Sequence, residues 1–324
     1  MVSVCVCTFK RCQLLGELLA ALTNQRFAGC SLEVIVVDND PEGSAAEVVA
    51  RCALVNPDVR YVRNSENNIS LARNLAIAKS RGEWIALIDD DEKPGEGWIE
   101  LLFNAAEKYK ADAVFGPVVP LYPPDTPPWI RTSRLFERKR FPTGSPMPLA
   151  ETRSGNVLIR KGVVQGVPGP FNPDFGRSGG EDSELFGYLM HQGGKFIWCD
   201  EAAVSETLSS ERLDWRWILR RRFRNGQVFA RQRLRTGRRG PRTGLWTTAL
   251  LVAKAIALSF LSLGALLPAL LLGKSMYMRC LSMAASQAGK LSALSPLIIE
   301  GYPRSRWRRL EAPRPSDASN MRGK

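Results

Sequence analysis

The chain has 324 residues, with 45 Lys and Arg against 32 Asp and Glu and a formal net charge of +13. With 44% hydrophobic and 24% charged residues it has an ordinary globular composition, which excludes collagenous, coiled-coil and largely disordered classes. A single histidine, His191, excludes two-histidine metal sites and leaves acid and base work mainly to carboxylates.

Val2 to Cys7 reads as an apolar strand that runs straight into Lys10-Arg11, too short for a signal-peptide core, so no secretion signal is expected. Residues 11–23 read as a helix with Leu14, Leu15, Leu18, Leu19 and Leu22 on one stripe, and residues 32–37 as a continuous apolar strand. A second helix follows at 45–54, a strand at 59–62, a third helix at 70–80 and another apolar strand at 84–88. This alternation has the spacing of parallel βαβ units, with strands apolar enough to be buried on both faces. It predicts an α/β fold, a doubly wound and mostly parallel sheet with flanking helices. The seven cysteines are odd in number and include no C-x-x-C pair, which fits reduced thiols in a cytosolic compartment.

Ligands of such sheets bind outside the carboxyl ends of the strands. Two acidic clusters fall there, Asp38-Asn39-Asp40 and Asp89-Asp90-Asp91-Glu92. Neither turn carries a glycine-rich phosphate loop, so a metal is expected to do that work. Four adjacent carboxylates repel unless a cation sits among them. Their spacing suits one hard cation with coordination positions left for diphosphate oxygens, the plain alternative being a solvated acidic turn.

Prolines crowd residues 117–148 and predict a looped connection without regular elements, pinned by Tyr122, Trp129, Phe136 and Phe141. Residues 152–160 read as a strand, and Gly179-Gly180 opens a helix that runs to about His191. The acids Glu181, Asp182 and Glu184 in its first turn either complement the helix dipole or, for Asp182, put a general base at the mouth of a cleft. His191 reads as a helix-end surface residue.

The charge is unevenly spread. Residues 1–211 carry a net −6, while residues 212–242 hold 12 Arg and one acid for a net +11. Residues 243–302 add +3 and the tail 303–324 adds +5. Residues 255–273 are 19 residues without a charge, which as one helix would reach roughly 28 Å, about a bilayer core. Lys254 and Pro268 interrupt the apolar stretch and residues 274–299 have an interfacial pattern, so spanning the membrane and lying on it both stay open. A buried helix of a soluble domain is the alternative. The expected organisation is a catalytic domain (1–211), an Arg-rich juxtamembrane helix (212–242), a helical membrane-associated segment (243–302) and a basic, disordered tail (303–324).

The ordered motifs resemble glycosyltransferase family 2, the GT-A fold enzymes that use nucleotide-diphosphate sugars, and especially its bacterial exopolysaccharide branch of succinoglycan-assembly type. The resemblance rests on the opening segment from Val2 to Arg11, Val36-Val37-Asp38-Asn39, Asn68-Ile-Ser-Leu-Ala-Arg-Asn74, Ile88-Asp-Asp-Asp91, Gly180-Glu-Asp182 and the basic segment from Leu219 to Gly226. It implies a metal-dependent, inverting hexosyl transfer. Thr8, Asp38, Arg73 and Asp89 would serve the donor nucleotide, Asp91 would ligate Mg2+ or Mn2+, and Asp182 would be the base. Glu206 stands where many members place a metal-binding histidine, so it would act as an oxygen ligand in its stead. Glu181, Arg220, Arg221, Arg222 and Arg224 would face the acceptor or its diphosphate.

The implied donor is a nucleotide-diphosphate sugar, with a UDP-sugar foremost. The implied acceptor is a polyprenyl-diphosphate-linked glycan at the cytoplasmic face of a bacterial inner membrane. Nucleic acid is not an expected partner. Two rivals remain at this stage, a membrane-anchored nucleic-acid binder using the Arg-rich segment and a catalytically silent GT-A scaffold.

Overall fold

The computed structural model describes residues 1–25, 30–237 and 241–295. The amino-terminal half alternates as expected through β1 (Val2–Thr8), α1 (Cys12–Thr23), β2 (Leu32–Asp38), α2 (Ala46–Val55), β3 (Val59–Arg63), α3 (Ile69–Lys79) and β4 (Trp84–Asp89). There follow β5 (Glu92–Pro94), α4 (Trp98–Tyr109), β6 (Ala113–Phe115), β7 (Val118–Leu121), α5 (Pro128–Ser133), β8 (Val157–Arg160) and α6 (Lys161–Gln165). The chain continues through α7 (Glu181–His191), β9 (Phe196–Trp198) and β10 (Val204–Thr207). It then becomes helical, with α8 (Trp215–Gly237), α9 (Pro241–Gly264), α10 (Leu266–Leu271) and α11 (Lys274–Ser292).

Seven strands form the central sheet in the order β3-β2-β1-β4-β8-β6-β9. The β3-β2-β1-β4 half is parallel throughout, and β8 runs antiparallel to both β4 and β6. A second sheet, β5-β10-β7, lies beside it. Alternate residues of each parallel strand enter opposite cores, as the two-residue period of a strand requires. Val4, Val6, Val34 and Val36 pack with Leu15, Leu18 and Leu19 of α1 and with Trp98 of α4. Cys5, Ile35 and Val37 pack with Ala72 and Ala76 of α3 and Phe186 of α7. Burial on both faces explains why these strands read as unbroken apolar runs.

The proline-rich connection holds two elements where none was expected. Pro128 opens α5 at a first-turn position, where its missing N–H costs no helical hydrogen bond. Pro120 lies on β7, an edge strand of the small sheet, where a missing donor is tolerated. Two of the aromatics do pin this segment. Phe136 stacks on Trp217 at 6.3 Å, and Phe141 meets Trp198 edge-on at 5.7 Å. Asn156, in the left-handed region at φ 55°, ties the surrounding loops together. Its amide donates to the carbonyls of Pro117 and Ala202 and accepts from the buried Trp98 indole at 2.8 Å.

The apolar run 255–273 does not form one helix. It is divided between α9 and α10, and among the described residues no helix is long and apolar enough to cross a membrane. Pro268 supplies the reason, since a proline ring clashes with the carbonyl four residues earlier, and that residue is Gly264, the last of α9. Instead of lying alone, α11 runs along α8. The two backbones meet at glycines, where a Cβ on Gly226 would strike the Ser286 carbonyl and one on Gly289 the Phe223 carbonyl. The helical layer also grips the catalytic half. Arg279 donates to the Ser133 carbonyl at 2.8 Å, Arg222 to that of Leu135 at 2.7 Å, and Gln232 to that of Gly180 at 2.7 Å. Packing is therefore continuous across position 211. The tail 303–324 lies outside the described residues.

Candidate active site

The strand register brings the candidate residues to one edge. Thr8 ends β1 opposite Asp38, and Cys7 pairs with Asp89 at the end of β4. Thr8, expected at the nucleotide, ties β1 to the acidic turn, its hydroxyl donating to Asp90 at 2.8 Å. Arg11 binds Asp90 at 2.9 Å and Asp91 at 3.0 Å. Desolvation raises the Asp90 carboxyl, with Arg11 opposing the rise.

Asp38, expected at the nucleotide, is held by its own turn. Its oxygens accept from the backbone N–H groups of Asp40 and Ala45 and from the Tyr61 hydroxyl, so the fully buried carboxylate shapes its own turn. The oxygen without a hydrogen bond belongs to Asp40, whose Oδ2 lies 3.8 Å from Lys10. Asn39 likewise turns inward, accepting from the Asn64 side chain and the Asn68 N–H.

Arg73 is the hinge of the site. The Asn68 side chain caps α3 by accepting from the N–H groups of Ser70 and Leu71, which fixes the helix that carries Arg73. The buried guanidinium binds Glu181 at 2.6 Å and Asp182 at 3.1 Å, with Asp89 at 3.6 Å and the Phe171 ring behind it at 5.4 Å. Expected on the nucleotide side, it lies between the acidic turn and the start of α7. Glu181, expected at the acceptor, is buried under Arg73 instead. Burial, then the charge of Asp182, pushes Glu181 up to about 7 against the pull of Arg73. Desolvation at the cleft floor pushes Asp89 up to about 6, and burial raises Glu92 well above the carboxylate range.

The turn before α7 leaves Asp182 at the cleft with a quarter of its side chain exposed. Gly180 takes φ 111°, and a Cβ there would press within 2.9 Å of Val228 on α8. A left-handed residue in close contact with a helix calls for glycine.

Asp91 and Glu206 do converge, and a guanidinium lies between them. Arg212 binds Asp91 at 2.8 Å through Nη2 and Glu206 through Nη1. Two hard carboxylates aimed at one positive charge fit a divalent cation that takes its other ligands from substrate phosphate and water. Among the described residues no group of three or more His, Cys, Asp or Glu could hold a metal. Arg212 would have to withdraw for the ion to enter. Nothing in the sequence marks it among the 12 arginines of residues 212–242.

The four arginines of α8 do not act as one group, because consecutive helical residues point about 100° apart. Arg220 is exposed and Arg222 is tied to Leu135. Arg221 lies over the Trp217 ring at 5.0 Å, and burial, then repulsion from Arg138 and Arg212, pushes it down to about 10. Arg224 is half-buried. His191 is exposed in the last turn of α7.

Residues 3–164 match the family described as Glycosyl transferase family 2. The chain is 35% identical over 239 residues to the succinoglycan biosynthesis protein ExoM of Rhizobium meliloti (strain 1021), covering 71% of this chain and 74% of that protein. It is 28% identical over 181 residues to glycosyltransferase AglE of Haloferax volcanii, covering 56% and 58% of the two chains. In fold it is similar to the mannosyltransferase PcManGT from Pyrobaculum calidifontis in complex with GDP-Man and Mn2+, with TM-score 0.61, 20% identity and coverage of 90% and 86%. A second likeness in fold, with TM-score 0.51 and 14% identity, is S. aureus TarS 1-349 in complex with UDP-GlcNAc, covering 90% of both chains. The sheet order is thus that of a GT-A fold, and the chain belongs to glycosyltransferase family 2 and is a glycosyltransferase related to exopolysaccharide-synthesis enzymes.

Proposed function

We propose that the protein moves a sugar from a nucleotide-diphosphate sugar to a hydroxyl of a lipid-linked glycan, inverting the anomeric carbon in one displacement. The observation that carries this reading is Arg73, which joins the acidic turn after β4 to the Glu181-Asp182 pair across one cleft. A donor diphosphate beside Asp91 and an acceptor hydroxyl beside Asp182 would then meet over a single floor.

Asp182 takes the proton of the acceptor hydroxyl. The acceptor oxygen attacks the anomeric carbon on the face opposite the diphosphate, the bond from that carbon to the diphosphate oxygen breaks, and the nucleoside diphosphate leaves. A general base in this role supplies roughly 10²–10⁴-fold in rate. Arg73 holds the carboxylate in place, and Glu181 beneath it fixes the guanidinium. The ammonium of Lys10, half-exposed beside the buried Asp40 carboxylate, lies at the donor end of the edge, suited to the polar rim of a nucleotide. Asp91 and Glu206 would hold Mg2+ or Mn2+, whose chemistry is to neutralise negative charge developing on the leaving diphosphate.

The membrane address rests on α9 and α10. Phe260 is 73% exposed, Leu267 77% and Leu271 91%, large apolar side chains left open on two successive helices. With the basic block of α8 beside it, this surface suits a bacterial inner membrane at its cytoplasmic face and an acceptor carried on polyprenyl diphosphate. The ExoM similarity supports an exopolysaccharide or other cell-surface glycan as the product. The nucleic-acid alternative loses ground, because Trp217 is stacked on Phe136 and Arg222 is tied to a carbonyl.

A thermal-shift panel of UDP-, GDP- and dTDP-sugars, with and without Mn2+, tests the reading. One donor class should raise the melting midpoint, more so with the ion. No shift with any nucleotide sugar would overturn it.

A further inference from the structure

We propose that a cavity on the far side of the acidic turn binds a phosphate or diphosphate group of the acceptor, held by Arg138, Arg153 and the hydroxyl of Tyr122. The inference rests on the glycosyltransferase reading and names the chemistry of its second substrate.

The cavity has a volume of about 250 Å³. Its walls include Phe115 at the end of β6, Trp198 at the end of β9, Tyr122, Arg138, Arg153 and Gly155. Phe115 and Trp198 belong to the β8-β6-β9 half of the sheet, whereas Thr8 and Asp38 end β1 and β2 in the other half. Gly155 forms the partition. A Cβ there would lie 2.6 Å from the Glu92 carboxylate and 3.1 Å from that of Asp89, so the cavity abuts the acidic turn. Arg153 in turn feels the charge of Asp182. The cavity therefore lies against the acidic turn, with Asp89 and Glu92 on the other side of Gly155.

The lining calls for an oxyanion. Arg138 is half-buried and makes no hydrogen bond or ion pair among the described residues. Arg153 has one partner, Glu151 at 3.3 Å, which is shared with Lys139 at 3.8 Å. Burial, then repulsion from Arg138, pushes both Arg153 and Arg221 down to about 10, the mark of cations crowded without enough counter-charge. The Tyr122 hydroxyl is buried with no hydrogen-bond partner. Buried donors without acceptors are uncommon, and a phosphate offers several acceptor oxygens in the geometry that arginine forks prefer. A lone sugar carboxylate would satisfy fewer of these donors.

Inorganic phosphate titrated calorimetrically into the full chain, first saturated with UDP or GDP to fill the donor side, tests the assignment. Phosphate should bind, and Arg138→Gln and Arg153→Gln should each weaken it at least tenfold, with Tyr122→Phe giving a smaller loss. Nucleotide affinity should stay as in the wild type. Arg138→Gln should also raise the melting midpoint in the absence of phosphate, because one of three repelling cations is gone. Phosphate binding absent from the wild type, or within twofold of it in both arginine variants, would overturn the cavity assignment. So would tighter binding of glucuronate than of phosphate, which would make the ligand an acidic sugar. Failure of UDP and GDP to bind would instead strike the donor reading, and the inference would fall with it.

Discussion

The two ends of the central sheet treat buried acids in opposite ways. At the amino end, Glu33 on β2 is almost wholly buried, yet it accepts from the Ser3 hydroxyl at 2.6 Å, the Arg81 N–H at 2.6 Å, the Arg81 side chain at 2.9 Å and Arg60 at 3.0 Å. Burial alone would raise this carboxyl, but its four donors override burial and hold it at about 2. At the carboxyl end, Glu92 and Glu181 are buried and Asp89, its side chain 47% exposed, stands among other acids, and all three are pushed up. The contrast separates an acid that stabilises the fold from acids kept at a cost to the fold. Perturbation of the second kind, grouped in a cleft, is what a site for a cationic or reacting partner requires.

The sharpest way to break the comparison is at the carboxyl end. Asp182→Asn should lower single-turnover transfer by roughly 10²–10⁴-fold, since the amide cannot take the acceptor proton. Nucleotide-sugar binding should persist, because Arg73 keeps its contact with Glu181 at 2.6 Å. Transfer at the wild-type rate would remove Asp182 from the role of base.

Glu33→Gln should do the reverse. Losing a buried charge bonded to two arginines and a hydroxyl should cost on the order of 3 kcal/mol, read as a lower urea midpoint. Transfer at a temperature where the variant is folded should be unchanged, because Glu33 lies at the opposite end of β2 from Asp38. A stable variant would mean that the four donors do not outweigh the burial of the charge.

The amino-terminal half of the fold was legible because periodicity is a local signal. Apolar strands buried on both faces and a leucine stripe on α1 are visible within a dozen residues. The grouping of Asp89, Asp91, Glu206 and Asp182 at one cleft was legible through motif order. The direction of each side chain was not, since partners arrive from far along the chain. Arg73 meets Glu181 across 108 positions, and Arg212 reaches Asp91 across 121. A basic residue in an arginine-rich block carries no mark of which acid it will meet. The break between α9 and α10 had its sequence signal in Pro268, which already left spanning open against the length of the uncharged run.

pH sharpens the same contrast with a smaller effect. Glu181 titrates at about 7 in the folded protein, above its ordinary range near 4.3, so the folded state holds a proton that the unfolded chain has released. Stability should therefore rise as pH falls from 8 to 5, and Glu181→Gln should flatten that rise. Glu33 has the opposite sign. Its contribution is complete above the ordinary carboxylate range and is lost as pH falls from about 4 towards 2. Urea midpoints at pH 8, 6.5, 5 and 3 check both trends, and a stability that fell steadily from pH 8 to 5 would contradict the assignment for Glu181.

The smallest expected effect lies on the helix that joins the two regimes. The first residues of α7 carry Glu181 and Asp182 at the cleft, and its last turn carries the exposed His191. A cationic side chain in a last turn gains at most about 1 kcal/mol from the helix dipole, and solvent screening reduces that gain. His191→Ala should accordingly shift the urea midpoint only slightly and leave the transfer rate within twofold of wild type. The variant is informative because His191 is the only histidine in the chain. A large loss of transfer would bring imidazole chemistry back into the mechanism, whereas an unchanged rate leaves proton transfer to the carboxylates at the other end of the same helix.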